Sequence, residues 1–259
     1  MKLRQIVLFS VLLLSFTAFA HSQNDTIRVM TLNLHAGHDA SLSQIGLFIK
    51  QYQPDFVALQ EVDHNTLRAN CRHQNRRDFI TELAHYSGMQ GLFGPTISFS
   101  GGLYGIGLLT KHQFIDIRNI KLPHPTPKME QRGLLEGTFV LENGDTIVFA
   151  CTHLEAFDSI SRKAQSEYIR NHFFNASHPV ILAGDFNAPP SDNVIKLLSN
   201  EWKDCTDDTP TFSVLNPCEK IDYIFALPSH SWKTTNSEVI PAKLSDHFPV
   251  IATLVLTRD

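Results

Sequence analysis

The sequence of 259 residues has no excess of positive charge, because 22 lysines and arginines face 26 aspartates and glutamates and leave a formal charge of −4. A protein that holds nucleic acid by bulk electrostatics needs a basic face, so the composition argues against that class. It leaves open an enzyme that meets phosphate groups through a bound metal ion. With 42% hydrophobic and 19% charged residues, the chain also differs from disordered and collagen-like proteins.

Long hydrophobic runs are scarce, and the one that stands out is at the N-terminus. Lys2 and Arg4 precede an apolar run over residues 6–16, which is followed by the small-residue pattern Ala18-Phe19-Ala20. This pattern is typical of a secretory signal peptide, and the run is short for a membrane span. We therefore expect residues 1–20 to be a signal peptide and the protein to be exported, to the periplasm or the medium. No stable membrane insertion is expected.

Cysteine is scarce as well, with four residues and no CxxC motif or Cys/His spacing that would indicate structural zinc. An exported protein can form disulfides. Cys205 and Cys218 flank a turn-rich loop. The sequence leaves two alternatives, a disulfide between them or two free thiols. Cys151 lies in an apolar, strand-like run and is expected to be a buried free thiol.

Strand-like and helix-like segments alternate along the rest of the chain, with no linker rich in proline, glycine or serine. Alternating or short apolar runs predict strands over residues 26–34, 56–60, 133–141, 145–153, 179–183, 221–225 and 249–256. Helical spacing of apolar residues predicts helices over residues 42–53, 77–87, 160–174 and 193–198. Glycine-rich turns are expected around 104–110, and Asn143-Gly144 indicates a hairpin. Residues 21–259 are predicted to form one α/β domain, a sheet sandwich flanked by helices.

Polar side chains occur at the ends of several predicted strands, where core packing does not require them. One further acid, Asp222, begins a strand. Alone, each of these residues has an ordinary structural explanation, such as a helix cap, a turn or a satisfied core histidine. Together they indicate a shared site, because functional sites are usually built at strand ends. The strand-end residues are Asn33, Glu61, His153, Asp185, Asn187, Asp246 and His247.

The residue types indicate a reaction class. Carboxylate and amide oxygens are the ligands that Mg²⁺ or Mn²⁺ prefers over zinc. Two histidines, His153 and His247, can act as acid and base near neutral pH, and Asp222 can orient His247. A hard metal ion combined with histidine and water suits hydrolysis of a phosphate ester.

The order and wording of these motifs also resemble a known family, the endonuclease/exonuclease/phosphatase family, which includes deoxyribonuclease I, and within it the small bacterial metal-dependent hydrolases. The resemblance covers nearly the whole chain beyond the predicted signal peptide. It implies a four-layer α/β/β/α sandwich, deoxyribonuclease I-like, with the site at one edge of the paired sheets. The motifs that carry it are VMTLNLH, PDFVALQEVD, YGIGLLTK, EQRGLL, CTHLE, ILAGDFNAPP, IDYIF and SDHFPV.

The resemblance further implies a role for each matched residue. Glu61 would be the principal ligand of Mg²⁺ or Mn²⁺, assisted by Asn33 and Asp246. Asp185 and Asn187 would position or activate the attacking water and hold the scissile phosphate. His247, oriented by Asp222, or else Asp185, would be the general base. His153 would face the leaving group or a phosphate oxygen, and Arg132 would contact the phosphate.

One departure concerns position 106, where many small bacterial members have asparagine and this chain has Ile106. The departure leaves catalysis possible and makes the substrates of those members a poor guide. A basic stretch, Arg68, Arg72, His73, Arg76 and Arg77, is either an anion-gripping loop or a solvated loop and helix start.

The substrate stays open at this stage, among a small phosphodiester, a sugar or inositol phosphate, a lipid headgroup and a nucleic acid. Phe93, Phe99, Tyr104 and Phe157 are aromatic residues that can stack on a base or a sugar. No obligate protein partner is evident. The alternative function is a non-catalytic scaffold of the same fold that binds phosphorylated ligands or another protein.

Overall fold

In the computed structural model, residues 26–257 are described, and they form twelve strands and four α-helices. The predicted signal peptide, residues 1–20, lies outside the described residues. The strands are β1 (Thr26–Asn33), β2 (Phe56–His64), β3 (Gln90–Phe99), β4 (Gly102–Thr110), β5 (Gln113–Lys121), β6 (Gly133–Val140), β7 (Thr146–His153), β8 (Val180–Asp185), β9 (Lys203–Asp204), β10 (Asp222–Leu227), β11 (Trp232–Val239) and β12 (Val250–Leu256). The helices are α1 (Leu42–Tyr52), α2 (Phe79–Ser87), α3 (Ser159–Phe173) and α4 (Asn193–Ser199).

The strands form two six-stranded sheets. The first has the order β11-β12-β1-β2-β4-β3, and the second has the order β5-β6-β7-β8-β10-β9. In each sheet one central pair is parallel, β1 with β2 and β7 with β8, and the other named pairs are antiparallel. The hairpin predicted at Asn143-Gly144 joins β6 to β7, and Gly144 has the left-handed φ of 88°.

Apolar side chains fill three layers of core. Residues of both sheets, such as Phe56 and Phe149, pack between the sheets. Ile45 on α1 and Leu83 on α2 belong to a second cluster with the first sheet, and Ile169 on α3 belongs to a third with the second sheet. Each helix therefore buries one apolar stripe against a sheet face. The predicted four-layer α/β/β/α sandwich is confirmed.

All four helices begin at a side-chain cap. Ser41, Asp78, Asp158 and Asp192 each accept a hydrogen bond from a backbone N–H of the following first turn. Such caps satisfy backbone donors that have no partner inside the helix. Of the helices between Thr26 and Thr257, none is long and apolar enough to cross a membrane.

Several sequence predictions need correction. The sequence pattern does not predict strands β3, β5, β9 and β11, and β3 occupies most of the segment predicted as a glycine-rich turn before β4. These strands lie at the edges of the sheets, where alternation is weak because much of each strand faces solvent. Glu61 does not end a strand but lies within β2, which continues to His64.

A disulfide between Cys205 and Cys218 is absent, and both thiols are free, with Cys205 buried and Cys218 exposed. The turn-rich loop between them does not bring their side chains together, because Cys205 packs into the core between the sheets. The expectation for Cys151 is confirmed, since it is buried and free, and burial raises the pKa of its thiol to about 12.

Candidate active site

The polar residues of the second sheet lie side by side where three strands meet at one edge. In the parallel pair β7–β8, His153 is opposite Asp185, and in the antiparallel pair β8–β10, Asp222 is opposite Asp185. Asp185 therefore stands between the two. The loop before β12 supplies Asp246 and His247 from the first sheet.

Gly184 explains how close the strands come at this point. A Cβ atom built there would lie 2.0 Å from the carbonyl oxygen of Thr152 on β7. The position also has a backbone φ of 157°, which residues with a side chain rarely adopt. Only glycine allows the two strands to approach here, and the approach sets Asp185 beside His153.

Asp185 is the centre of the buried contacts. Its Oδ2 accepts a hydrogen bond from Asn33 Nδ2 at 3.1 Å and lies 3.5 Å from His153 Nε2 and 3.7 Å from His247 Nε2. Its Oδ1 accepts a hydrogen bond from the backbone N–H of Asn187 at 2.9 Å. One carboxylate thus connects four of the predicted site residues.

The second ring nitrogen of His247, Nδ1, is bound by Asp222. Its Nδ1 lies 2.9 Å from Asp222 Oδ2, which also accepts a hydrogen bond from Thr211 Oγ1 at 2.6 Å. A histidine between two carboxylates has a fixed ring orientation. His153, Asp185, Asp222 and His247 are each at most 5% exposed, and we call them the buried half of the site.

Burial and charge shift the pKa values of the buried half in different directions. Burial, together with the Asp222 carboxylate, raises the pKa of Asp185 to about 7. Burial opposes a charge on His247, but the Asp222 and Asp185 carboxylates outweigh it and raise the pKa of His247 to about 10. Burial, Arg132 and His247 hold the pKa of His153 well below its usual value. The pKa shifts therefore favour the protonated form of His247 and the neutral form of His153.

Asn33, Glu61 and Asp246 form the oxygen half of the site. Asn33 Nδ2 donates to Glu61 Oε1 at 3.2 Å, and Asn33 Oδ1 accepts from the backbone N–H of His35 at 2.9 Å. The His35 ring bridges toward Asp246, whose Oδ1 lies 3.7 Å from His35 Nδ1. Asp39 binds the same ring nitrogen at 2.7 Å.

A β-bulge in β2 sets the direction of the Glu61 side chain. The pairing of β2 with β4 shifts register between Leu59 and Val62, and Glu61 has a φ of 56°. Such a bulge redirects a side chain out of the regular alternation of a strand. A left-handed φ at a residue other than glycine is strained, and such strain persists where the surrounding structure enforces it. The Glu61 carboxylate is thereby brought to Asn33.

The oxygen half fits a hard divalent cation. Its donors are two carboxylates and an amide oxygen, and the Asn33 oxygen keeps a lone pair beside its bond from His35. Asp246 is 34% exposed on its side chain, and Glu61 is also partly exposed. Within the described stretch, residues 26–257, neither carboxylate forms an ion pair with lysine or arginine. Partly exposed carboxylates without a lysine or arginine partner favour a bound cation.

A second group of possible ligand atoms overlaps the buried half. Ligand atoms of Asp185, Asp222 and His247 all lie within 4.8 Å of one another. Asp222 Oδ2 and His247 Nδ1 are already joined by a hydrogen bond. A cation at this position would compete with that bond.

Arg132, predicted to contact phosphate, is a buried residue. Its Nη1 lies 2.8 Å from Glu130 Oε1 and 3.2 Å from His153 Nδ1, and its Nε lies 3.4 Å from Glu155 Oε2. The guanidinium is fixed beside His153. Asn187, at a φ of 49°, donates its Nδ2 to the Leu154 carbonyl at 2.9 Å.

Sequence reasoning missed several supporting residues. Thr211, Glu130 and Glu155 had no strand-end signal, because they become neighbours of the site only through the tertiary fold. His35 was quoted in a motif but was given no role. Ile106, the departure from the family pattern, is 1% exposed and packs between the sheets beside the crevice that His153 and Arg132 line.

The basic stretch after β2 divides into two kinds of residue. Arg68 donates to Asp63 from both Nε and Nη2, at 2.6 and 3.0 Å, and stacks over Phe99. Arg77 is paired with Glu82. Arg72 and Arg76 are exposed. Two of the arginines therefore stabilise the loop, and only the exposed ones resemble an anion-gripping surface.

Comparison with known proteins agrees with this geometry. The sequence pattern of the Endonuclease/Exonuclease/phosphatase family matches residues 30–247, a span that begins in β1 and ends at His247. The chain belongs to this family. Members of the family are hydrolases of phosphate esters that depend on divalent metal ions, which confirms the enzyme class predicted from the sequence.

Among curated relatives, nocturnin of Rattus norvegicus is 30% identical over 164 residues, which cover 57% of this chain and 36% of the relative. Nocturnin of Xenopus laevis is 29% identical over 256 residues, which cover 82% of this chain and 63% of the relative. The chain thus spans about a third of the length of the rat protein that it matches.

Solved structures agree on the fold. An endonuclease/exonuclease/phosphatase from Beutenbergia cavernae superimposes with a TM-score of 0.77 at 22% identity and covers 90% of this chain and 72% of its own. The human nocturnin catalytic domain with bound sulfate has a TM-score of 0.69 at 23% identity, with coverage of 91% and 98%. The mannosyl-6-phosphatase of Bacteroides thetaiotaomicron has a TM-score of 0.69 at 17% identity, with coverage of 89% and 100%.

Proposed function

We propose that this protein is an exported, Mg²⁺-dependent phosphoesterase that hydrolyses a phosphodiester or phosphomonoester by attack of water. One observation carries the proposal, the convergence of the buried half and the oxygen half on Asn33. Its amide binds Asp185 on one side and Glu61 on the other. Mn²⁺ is an alternative ion for the same ligands.

Asn33, Glu61 and Asp246 would hold the ion. Bound there, a divalent cation would neutralise charge on the phosphoryl oxygens and on the leaving oxygen. Glu61 is the principal ligand in this proposal, because its carboxylate is displayed by the bulge in β2 and has no basic partner among residues 26–257. Neighbouring Asn33 fixes its position.

The buried half would move the proton. Asp185 accepts the proton of the attacking water, since it exchanges a proton near neutral pH and its Oδ1 is oriented by Asn187. His247, held protonated by Asp222, donates a hydrogen bond to a phosphate oxygen. In this proposal Asp185 is the base and His247 is the cation.

His153 and Arg132 would serve the other side of the phosphorus. The guanidinium of Arg132 contacts His153 Nδ1, which leaves Nε2 facing Asp185. In this proposal Arg132 stabilises the negative charge of the phosphate, and His153 faces the leaving group. Asn187 would contribute to phosphate binding from the neighbouring strand end, just after β8.

The export part of the proposal rests on the sequence of residues 1–20 alone. Possible substrates include a sugar phosphate, as in the mannosyl-6-phosphatase with the same fold, an inositol phosphate, a lipid headgroup, and a nucleic acid. The acidic composition favours a small substrate over a long polyanion.

The test is hydrolysis of a panel of phosphate esters with Mg²⁺ and after chelation. The panel holds DNA, RNA, sphingomyelin, inositol and sugar phosphates, and aryl mono- and diesters. Turnover that requires the metal and is lost in Glu61→Ala and His247→Ala supports the proposal, while His230→Ala, at an exposed histidine of a distant turn, keeps activity.

The second candidate function is a scaffold that binds phosphorylated ligands without catalysis. Its strongest expectation is that a catalytic residue has been lost, but the residues of both halves are present, and Asn33 contacts both Glu61 and Asp185. Folded, metal-bound protein that hydrolyses no member of the panel would favour the scaffold.

A further inference from the structure

The two histidines of the site have opposite partners at the same ring nitrogen. Nδ1 of His247 lies 2.9 Å from the Asp222 carboxylate, whereas Nδ1 of His153 lies 3.2 Å from Nη1 of Arg132. Both rings are buried, and their Nε2 atoms lie 3.7 and 3.5 Å from the same oxygen, Asp185 Oδ2. The two rings thus share the group that faces Nε2 and differ in the group that binds Nδ1.

An arginine at Nδ1 is compatible with one neutral tautomer of His153. A guanidinium has N–H donors and no acceptor, so Nδ1 must be the unprotonated nitrogen that accepts the hydrogen bond. The proton of the neutral ring is then on Nε2. A doubly protonated ring would set an N–H against the guanidinium. The charges agree with this, because burial, Arg132 and His247 hold the pKa of His153 well below its usual value.

Arg132 is itself held in one place. Its Nη1 lies 2.8 Å from Glu130 Oε1 and its Nε lies 3.4 Å from Glu155 Oε2, so carboxylates bind the guanidinium at two of its nitrogens. Glu155 is fixed in turn, since its backbone N–H donates to Gln165 Oε1 at 2.9 Å. A guanidinium that is bound at Nη1 and Nε, in a residue 7% exposed, has little freedom to move away from His153.

The crevice around His153 favours the same assignment. Ile106 lines this crevice together with His153 and Arg132, and its side chain has no hydrogen-bonding group. A functional histidine commonly donates Nδ1–H to a carboxylate or a backbone carbonyl, which leaves Nε2 as the acceptor of the neutral ring. His247 has a carboxylate at Nδ1, and His153 has the reverse arrangement.

We infer that Arg132 is a positioning residue that fixes His153 as the neutral tautomer with its proton on Nε2, so that His153 binds a substrate oxygen as a hydrogen-bond donor and does not act as a general acid. The contact with substrate rests on the proposed phosphoesterase function. A fixed N–H aimed at developing negative charge needs no reorientation during the reaction. The contacts of Arg132 use Nη1 and Nε, which leaves Nη2 for the phosphate.

The first experiment reads the tautomer in the protein without substrate. Protein labelled with ¹⁵N-histidine gives long-range ¹H–¹⁵N NMR spectra in which Nδ1–H, Nε2–H and doubly protonated rings have different patterns. The spectrum of His153→Gln identifies the signals of His153 by their loss. At pH 7 the unchanged protein is expected to show the Nε2–H pattern at His153. An Nδ1–H pattern or a doubly protonated ring would overturn the inference.

Arg132→Met tests whether the arginine sets the tautomer. Loss of the guanidinium releases Nδ1, so forms of His153 that carry a proton on Nδ1 should become populated. Arg170→Met is the matched control, because Arg170 on α3 also binds a glutamate, Glu201 at 2.9 Å, and its loss should leave the Nε2–H pattern unchanged. Melting curves show whether each variant is folded. An unaltered pattern in folded Arg132→Met would overturn the inference, and if this variant does not fold, the unchanged protein and the kinetics decide.

Hydrolysis of an aryl phosphate separates a hydrogen-bond donor from a general acid. Glutamine keeps an N–H donor but has no proton to release, so His153→Gln should keep kcat within about tenfold of the unchanged protein, whereas His153→Ala should lower kcat by about a hundredfold or more. Equal losses in the two variants would overturn the donor role. No hydrolysis by the unchanged protein would reject the proposed function, and the spectra would still decide the role of Arg132.

Discussion

The two halves of the site differ in exposure and in the atoms they offer. The buried half has histidines and carboxylates that are at most 5% exposed and bound to one another, and its pKa values are shifted. The oxygen half has oxygen donors alone, and Asp246 is 34% exposed on its side chain. Burial perturbs proton affinity, whereas partial exposure leaves carboxylates accessible to a cation. The same residue type, aspartate, is therefore buried in one half and partly exposed in the other.

The first prediction concerns proton transfer in the buried half. His247→Ala should lower kcat by about a thousandfold, because it removes the cation between Asp222 and Asp185. Metal affinity should change little. Steady-state kinetics at saturating Mg²⁺ measure the effect, with His230→Ala as control. A loss below tenfold would mean that the buried half does not carry the chemistry.

The second prediction concerns the oxygen half. Glu61→Gln should weaken Mn²⁺ binding by about a hundredfold, since even residues that only support metal ligands change affinity by ten- to a hundredfold. Calorimetric titration of the purified protein with MnCl₂ measures it. Glu142→Gln, at an exposed glutamate after β6, should bind like the unchanged protein. Unaltered binding in Glu61→Gln would remove Glu61 as a ligand.

The third prediction concerns the strand contact beneath the buried half. Gly184→Ala should cost about 3 kcal/mol of unfolding free energy, because its Cβ would lie 2.0 Å from the Thr152 carbonyl oxygen. Gly144→Ala, whose Cβ meets nothing within 4 Å, should cost only the strain of its left-handed backbone, about 1 kcal/mol. Urea unfolding measures both. Equal costs would show that close approach of β7 and β8 is not required.

The smallest expected effect is at Asp158, which caps the N-terminus of α3. Hydrogen bonds from Ser161 and Thr126 lower the pKa of Asp158 from 3.8 to about 2. A carboxyl with a lowered folded-state pKa stabilises the fold above its unfolded pKa, and this stabilisation is lost as the pH falls from about 4 to 2. Asp158→Ala should therefore lower the melting temperature by roughly 2–4 °C at pH 7.

The melting-temperature difference should shrink toward zero near pH 2, where the native carboxyl is itself protonated. Asp158→Asn keeps a capping side chain and should lose less at pH 7. Melts at pH 7, 4 and 2 provide the comparison. A difference that grows on acidification would contradict the assigned pKa shift.

The sequence could predict the buried strands and the site residues that follow them. The runs that include Phe56 and Val180 are apolar because both sheet faces are covered, and this leaves a strong pattern. The edge strands β5 and β11 lack that pattern. The bulge at Glu61 depends on backbone geometry that no residue type announces, so the sequence placed Glu61 at a strand end.

Within the site, the motifs named the residues but not their partners. The bond between His247 and Asp222 was predicted, yet the contact of Asn33 with both Glu61 and Asp185 was not. The contact between Asn33 and Asp185 joins residues 152 positions apart, and only packing of one sheet on the other creates it. The proposal of Asp185 rather than His247 as the base likewise depends on burial, which a sequence does not display.

The most direct test of the two-part site is a Mg²⁺ titration of aryl phosphate hydrolysis by the unchanged protein, Glu61→Gln and His247→Ala. The account predicts that Glu61→Gln raises the Mg²⁺ concentration for half-maximal rate and regains much of the rate at saturation. It predicts that His247→Ala lowers the maximal rate at an unchanged Mg²⁺ requirement. Variants that alter the same parameter in the same way would contradict the division into a metal-holding half and a proton-moving half.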